Sequence, residues 1–543
     1  MNILFIMFDQ LRFDYLSCAG HPHLQTPHID SLAARGVRFS RAYVQSPICG
    51  ASRMSFYTGR YTSSHGAQWN GFPLRVGEVT LGDHLRDAGM GCWLIGKTHM
   101  RADARGMERL GLDPDSVIGA RQAECGFDVW CRDDGLWAEG PDGFYDANRS
   151  PYNAYLKSRG YPGANPWADF ANAGEEGGDL ASGWFMANAD KPANIAEEDS
   201  ETPWLTGEAI RFIEQAEGPW CAHVSYIKPH WPYIVPAPYH AIYGANQVPA
   251  AVRHPSEKEN PHPVLKAFMD SPVGQAFSRD EVRQKAIPAY MGLIKQCDDQ
   301  MGRLFDFLER TGRMQDTMIV LTSDHGDYLG DHWMGEKDFF HEPSVKVPLI
   351  VYDPRPEADA TRGTVCDALV EAIDLAPTFV AAAGGAPANH ILEGRSLDPL
   401  LQGETPAGWR DFAVSEYDFS ARPMTVNMGL RPEQARLFMV ADKRWKFVHC
   451  ESGHRPILFD MESDPDEFFD LGDSAEHRHI IERMYDRLAA WGRRSAQRVT
   501  RSDADIAAMR GKSPRKGILL GVFEAADLPP DLTARYRGPV PRR

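Results

Sequence analysis

The chain has 543 residues, 43% hydrophobic and 24% charged, which suits an ordinary globular protein with a large α/β domain and a smaller companion. Its net charge of −17 argues against nucleic acid and anionic membranes as partners, although a few cations in a cleft can still reverse the local field for a small anion. No apolar run approaches the roughly 20 residues of a membrane helix, and the nine cysteines are scattered without a C-x-x-C pair, so a reducing, cytoplasmic setting is expected. The run 3–8 reads as a buried first strand rather than a leader, since it lacks a basic start and Asp9 ends it. Thr26-Pro27 opens a helix carrying Ile29, Leu32 and Ala33, stopped by Gly36. Cys49-Gly50-Ala51-Ser52-Arg53 leads into a helix-compatible run, placing the Cys49 sulfur at a helix N-terminus and Arg53 one turn on. The same window also suits a small buried cysteine ahead of a helix.

Thr80 begins another helix, with Leu81 and Leu85 one turn apart and Gly89 at its end, feeding the strand 92–95. Strands are expected at 221–226, 318–322 and 347–352, and the longest helix at 288–311, with Tyr290, Leu293, Cys297, Met301, Leu304 and Leu308 as its core stripe. This alternation predicts an α/β fold with a large, mainly parallel sheet sandwiched by helices. Residues 100–205 break it with Gly, Asp, Trp and Tyr, and read either as walls of a substrate pocket or as an excursion packed by its own aromatics. Past residue 405, strands at 437–440, 445–448 and 457–460 precede a helix carrying Ile480, Met484, Leu488 and Trp491, giving a smaller C-terminal α+β domain. The expected division is 1–404, 405–499 and a tail at 500–543, either an oligomerisation arm or a disordered end. Asn148-Arg149-Ser150 matches a glycosylation sequon and is taken as chance without a secretion signal.

Polar residues collect where a parallel sheet presents ligands, at the C-terminal ends of its strands. Asp9 follows the first strand; Ser323-Asp324-His325-Gly326-Asp327 follows the strand at 318–322. Gly96-Lys97-Thr98-His99 and Lys228-Pro229-His230 leave the same edge, and Lys337 lies on the loop beyond Asp324. Taken singly, each has an ordinary structural explanation. Their recurrence at one sheet edge, beside Cys49, points to a shared site.

These motifs resemble the sulfatase branch of the alkaline phosphatase superfamily, in the group of bacterial arylsulfatases and phosphonate monoester hydrolases. The likeness runs from residue 3 to about 495, through the segment Leu458-Phe459-Asp460-Met461-Glu462-Ser463-Asp464-Pro465-Asp466-Glu467. Cys49 and Arg53 match the pattern C-x-(P/S/A)-x-R, with Ala51 in the place usually held by proline. The resemblance implies an alkaline phosphatase-like fold and oxidation of Cys49 to formylglycine by a formylglycine-generating enzyme. It implies one divalent cation, Ca2+ or Mn2+, on Asp9, Cys49, Asp324 and His325, with Gln10 a further candidate ligand. It places Asn70 on the substrate side, His230 near the leaving-group oxygen, and Lys337 on the substrate's charged oxygens.

The hydrated aldehyde would act as nucleophile, with Arg53, Lys97 and Lys337 stabilising charge and His230 protonating the leaving group. His99 would then take the proton of the second hydroxyl, expelling sulfate. Gln10 and His325 follow the phosphonate-hydrolase pattern, whereas Lys97 and His99 follow the sulfatase one. Hydrolysis of sulfate monoesters, aryl sulfates in assay, is therefore expected, with promiscuity toward phosphodiesters and phosphonates. The alternatives are a dedicated phosphonate monoester or phosphodiester hydrolase, or a non-catalytic anion-binding protein, which would show gaps in the constellation. A homodimer or homotetramer is expected from the group.

Overall fold

The computed structural model describes residues 1–135, 150–494 and 500–509, together with 524, 526 and 530. The sequon residues Asn148 and Arg149 and most of the tail lie outside the described residues. Asn2–Asp9 (β1), Val37–Phe39 (β2), Gly91–Gly96 (β3), Asp128–Arg132 (β4), Trp220–Pro229 (β5), Thr317–Ser323 (β6), Leu349–Tyr352 (β7) and Thr364–Cys366 (β8) form one sheet. Its order is β8-β2-β7-β6-β1-β5-β3-β4. Neighbours run parallel except at β7, which pairs antiparallel with β6 and β2.

β1 is buried at every position, as a central strand covered on both faces must be. Its side chains alternate between two cores: Ile3, Phe5 and Met7 on one face, Leu4, Ile6 and Phe8 on the other. Helices Pro27–Arg35 (α1), Cys49–Thr58 (α2), Leu81–Asp87 (α3), Glu201–Gln215 (α4), Asp280–Arg310 (α5) and Leu375–Ala382 (α6) cover them. Met54 and Phe56 of α2, Leu81 and Leu85 of α3, and Leu375 and Phe379 of α6 pack on the first face. Ile29 and Leu32 of α1, Leu205 and Phe212 of α4, and Tyr290 and Ile294 of α5 pack on the second.

Two expectations need correction. α5 starts at Asp280, not at Pro288, which sits inside the helix. A proline favours a first turn, but here Asp280 and Glu281 supply the N-terminal charge and the apolar stripe extends back through Val282, Ala286 and Ile287. Residues 100–205 are not all excursion: β4, inside that stretch, closes the sheet beside β3.

The C-terminal unit is an antiparallel meander, Ala413–Asp418 (β9), Arg436–Ala441 (β10), Trp445–Cys450 (β11) and Ile457–Asp460 (β12), with helix Arg478–Gly492 (α7). Val414, Val440, Phe447 and Leu458 pack under Ile480, Met484 and Trp491. The opposite face, with Ala413, Leu437, Met439 and Val448, joins the core of the larger unit. Among the described residues no helix is long and apolar enough to cross a membrane.

Candidate active site

Strand register brings the chemistry together. Phe8 of β1 pairs with Ser323 of β6, so the next residues, Asp9 and Asp324, emerge side by side. A register shift after Phe8 sets Asp9 against Pro229 of β5, delivering His230 to the same edge. Gly96 of β3 pairs with Ser225, and Lys97 follows. Onto this edge α2 presents its N-terminus, with Cys49 as its first residue and no side-chain cap from Ile48, so the positive end of the helix lies at the cluster. One ligand atom from each of Asp9, Cys49, Asp324 and His325 lies within 4.8 Å of the others, and all four residues are buried.

The carboxylates are divided in function. Asp9 Oδ2 accepts from Lys97 Nζ at 2.6 Å and Arg53 Nη2 at 3.0 Å. Asp324 Oδ2 accepts from Arg53 Nε at 2.8 Å. Asp9 Oδ1 turns inward, 3.7 Å from His325 Nε2 and 3.7 Å from Cys49 Sγ. His325 Nδ1 donates to the Gly326 carbonyl at 2.8 Å, which fixes its tautomer and leaves Nε2 facing the cluster, 3.0 Å from the sulfur. Inward carboxylate oxygens, an oriented imidazole and residue 49 make a donor set that fits a hard divalent cation.

Burial and neighbouring Asp9 push Asp324 up. Burial also pushes at Asp9, but Lys97, His230 and Arg53 together hold it below the usual carboxylate range. Burial alone would raise the Cys49 thiol, yet Lys337, His325 and Lys97 bring it well down, so position 49 sits in a strongly cationic field. Burial would lower His325; Asp324 and Cys49 raise it instead, to about 9.

Arg53 is fully buried and donates to Asp9, Asp324, the Lys97 carbonyl at 3.0 Å and Ser225 Oγ at 2.7 Å. It braces the carboxylates. Lys337 Nζ sits 3.2 Å from Cys49 Sγ, 3.2 Å from Gln10 Oε1 and 3.1 Å from His230 Nε2. Gln10 thus points its oxygen at Lys337 and its amide nitrogen at Asp327 and Tyr233. His230 Nδ1 lies 2.7 Å from the Trp231 carbonyl, which makes Nδ1 the protonated nitrogen and Nε2 an acceptor from Lys337. Burial and Lys337 bring His230 down to about 3. Asn70 Oδ1 accepts the Gly50 N–H at 2.7 Å, tying the helix start in place.

The His99 backbone N–H bonds Asp134 Oδ1 at 3.0 Å, and its buried Nδ1 has no hydrogen-bond partner among the described residues. Sequence reasoning assigned nothing to Tyr233, whose hydroxyl donates to Asp327 at 2.5 Å and holds the carboxylate that fixes Gln10. Asp327 was visible in the segment after β6; Tyr233 carried no local signal. A second His/Asp group, His28, Asp298 and Asp299, is already engaged: Asp298 accepts N–H bonds from His28 and Ile29, and Lys295 pairs with both carboxylates.

Gly326 has a strict requirement, since a Cβ there would stand 1.9 Å from the Pro343 carbonyl oxygen. Gly326→Ala is expected to destabilise the protein by about 1–3 kcal/mol through overpacking, and to weaken metal binding by shifting the carbonyl that orients His325. Thermal unfolding and a metal titration check this; an unchanged Tm and affinity would contradict it.

The sulfatase family profile matches residues 1–386, and a profile described as N-sulphoglucosamine sulphohydrolase, C-terminal, matches residues 330–494. With this sheet and this cluster, the chain belongs to the sulfatase family of the alkaline phosphatase superfamily. It is 30% identical over 515 residues to the multifunctional alkaline phosphatase superfamily protein PehA of Trinickia caryophylli, across 90% of this chain and 95% of that protein. An arylsulfatase of Clostridium perfringens is 28% identical, across 89% of this chain and 92% of its own. The phosphonate monoester hydrolase of Agrobacterium radiobacter superposes with a TM-score of 0.76 at 30% identity, covering 90% of this chain and 95% of that one. The protein is thus a hydrolase of the sulfatase and phosphonate monoester hydrolase group.

Proposed function

We propose that the protein hydrolyses sulfate monoesters, aryl sulfates in assay, with Cys49 converted to formylglycine by a formylglycine-generating enzyme. One divalent cation, Ca2+ or Mn2+, would be held by Asp9, Asp324, His325 and residue 49. The observation that carries the sulfate reading is Lys97, buried against Asp9 at 2.6 Å in the wall of the cluster and followed by His99. When present, the hydrated aldehyde supplies an oxygen nucleophile and the cation lowers its pKa.

The chain's own residues supply the rest. Lys337 and Lys97, both buried, bring positive charge to the oxygens of the tetrahedral centre. Arg53 keeps the two carboxylates in place. His230, with Nε2 turned into the site beside Lys337 Nζ, protonates the departing oxygen once the bound anion offsets the Lys337 charge that keeps the imidazole neutral, and Lys337 stays a charged ammonium throughout. His99, whose Nδ1 has no hydrogen-bond partner among the described residues, takes up the proton set free when sulfate leaves. The Sγ of Cys49 marks where the oxygens of the modified residue would stand.

A second reading, phosphonate monoester or phosphodiester hydrolysis, is favoured by Gln10, where many sulfatases carry a further carboxylate, and by the similarity to PehA and the phosphonate monoester hydrolase. Sulfate monoesters, phosphonate monoesters and phosphodiesters all present a tetrahedral centre with a single negative charge, so the same cations suit each. The test is kcat/KM for an aryl sulfate, an aryl phosphonate monoester and a phosphodiester with metal-loaded protein. The sulfate is expected to be turned over fastest; preference for either of the others would install the second reading.

A further inference from the structure

Lys337 lies between two backbone conformations that side chains rarely adopt, Glu336 at φ 56° and Asp338 at φ 119°. Such strain persists only where the surroundings hold it. What holds Asp338 comes from the C-terminal unit. Tyr417, at the end of β9, donates its hydroxyl to Asp338 Oδ1 at 2.7 Å, and Arg422 Nη2 contacts both carboxylate oxygens. The Arg422 guanidinium also stands 5.4 Å over the Trp69 ring, which stacks on Tyr417 at 6.0 Å. The residue after Trp69 is Asn70, which holds the Gly50 N–H. β9 touches the approach to Cys49 as well, through the Glu416 N–H on the Gln45 carbonyl at 2.8 Å.

We infer that Arg422 is a positioning residue for the reaction: held over the Trp69 ring, it sets Lys337 against residue 49 through Asp338. The inference rests on the reading of Lys337 as the cation that holds the substrate's charged oxygens. An arginine is needed because a planar guanidinium engages a carboxylate and stacks on an indole at once, which an ammonium does not. The smaller C-terminal unit is then part of the catalytic apparatus, since a residue there decides where a lysine of the larger unit stands.

The test is a double-mutant cycle on whichever ester the native enzyme turns over fastest. A misplacement of about 1 Å can cost roughly a hundredfold, so Arg422→Ala is expected to lower kcat/KM by about 30- to 100-fold. Arg422→Lys should recover part of that loss. In a Lys337→Ala background, Arg422→Ala should cost less than about threefold more, because its route to the reaction is gone. Losses that multiply in the double variant, or an Arg422→Ala enzyme within about threefold of the native one, would overturn the inference. A crystal structure of Arg422→Ala reads the same point without turnover. Lys337 Nζ should leave its place 3.2 Å from the side chain of residue 49, and an unmoved lysine would refute the clamp. Absence of turnover by the native enzyme on every ester would instead contradict the proposed function, with the crystal structure still deciding the clamp.

Discussion

Cys49→Ala is expected to lower kcat/KM for every ester by at least about a thousandfold while leaving the protein folded. Position 49 is the first residue of α2, where alanine is well accommodated, and the lost group is a small side chain inside a cluster held by other contacts. The Arg53 bonds to Asp9 and Asp324 do not involve the sulfur. The variant should unfold within a few degrees of the native protein and still bind the cation through Asp9, Asp324 and His325. Initial rates and thermal unfolding measure the two halves; near-native rates would remove residue 49 from the reaction.

Asp9→Asn is expected to do more damage, to both activity and fold. Asp9 is fully buried and is the counter-charge for Lys97 and one partner of Arg53. Removing one member of a buried pair costs roughly 3–5 kcal/mol, because the remaining charge stays desolvated. The same change removes an anionic oxygen from the donor set, so metal affinity should fall by more than about a hundredfold, beyond what loss of an outer partner does. Chemical unfolding and metal titration on the purified variant check these effects. A variant as stable as the native protein, with unchanged affinity, would show that Asp9 is not the hub of the cluster.

Much of this site was legible in the sequence because its residues sit in short motifs at strand ends. Asp9 follows an uninterrupted apolar run, and Asp324-His325 follows another. Parallel register then brings those ends together without any loop needing to be foreseen. Lys97 and His230 follow strands of their own, whereas Cys49 was read at a helix start and Lys337 on the loop beyond Asp324, and all four lie around one cluster. The direction of each side chain was not legible. Arg53 faces the carboxylates, and Gln10 reaches Lys337 and Asp327, because burial forces every donor to a partner that spacing alone does not name. Short strands such as Val37–Phe39 and Thr364–Cys366 left no periodic signal, being only three residues long. Arg422 and Tyr417 were invisible for another reason: their part in the site depends on how a second unit packs on the first.

The most direct test of the central claim follows residue 49 itself. Protein produced with differing amounts of formylglycine-generating enzyme is digested, and the peptide spanning residues 42–53 is weighed to give the fraction present as aldehyde or hydrate rather than thiol. Turnover of the preferred ester by the same metal-loaded preparations should rise in proportion to that fraction and extrapolate to zero without it. A preparation carrying only the thiol that turns over as fast as a fully converted one would contradict the account.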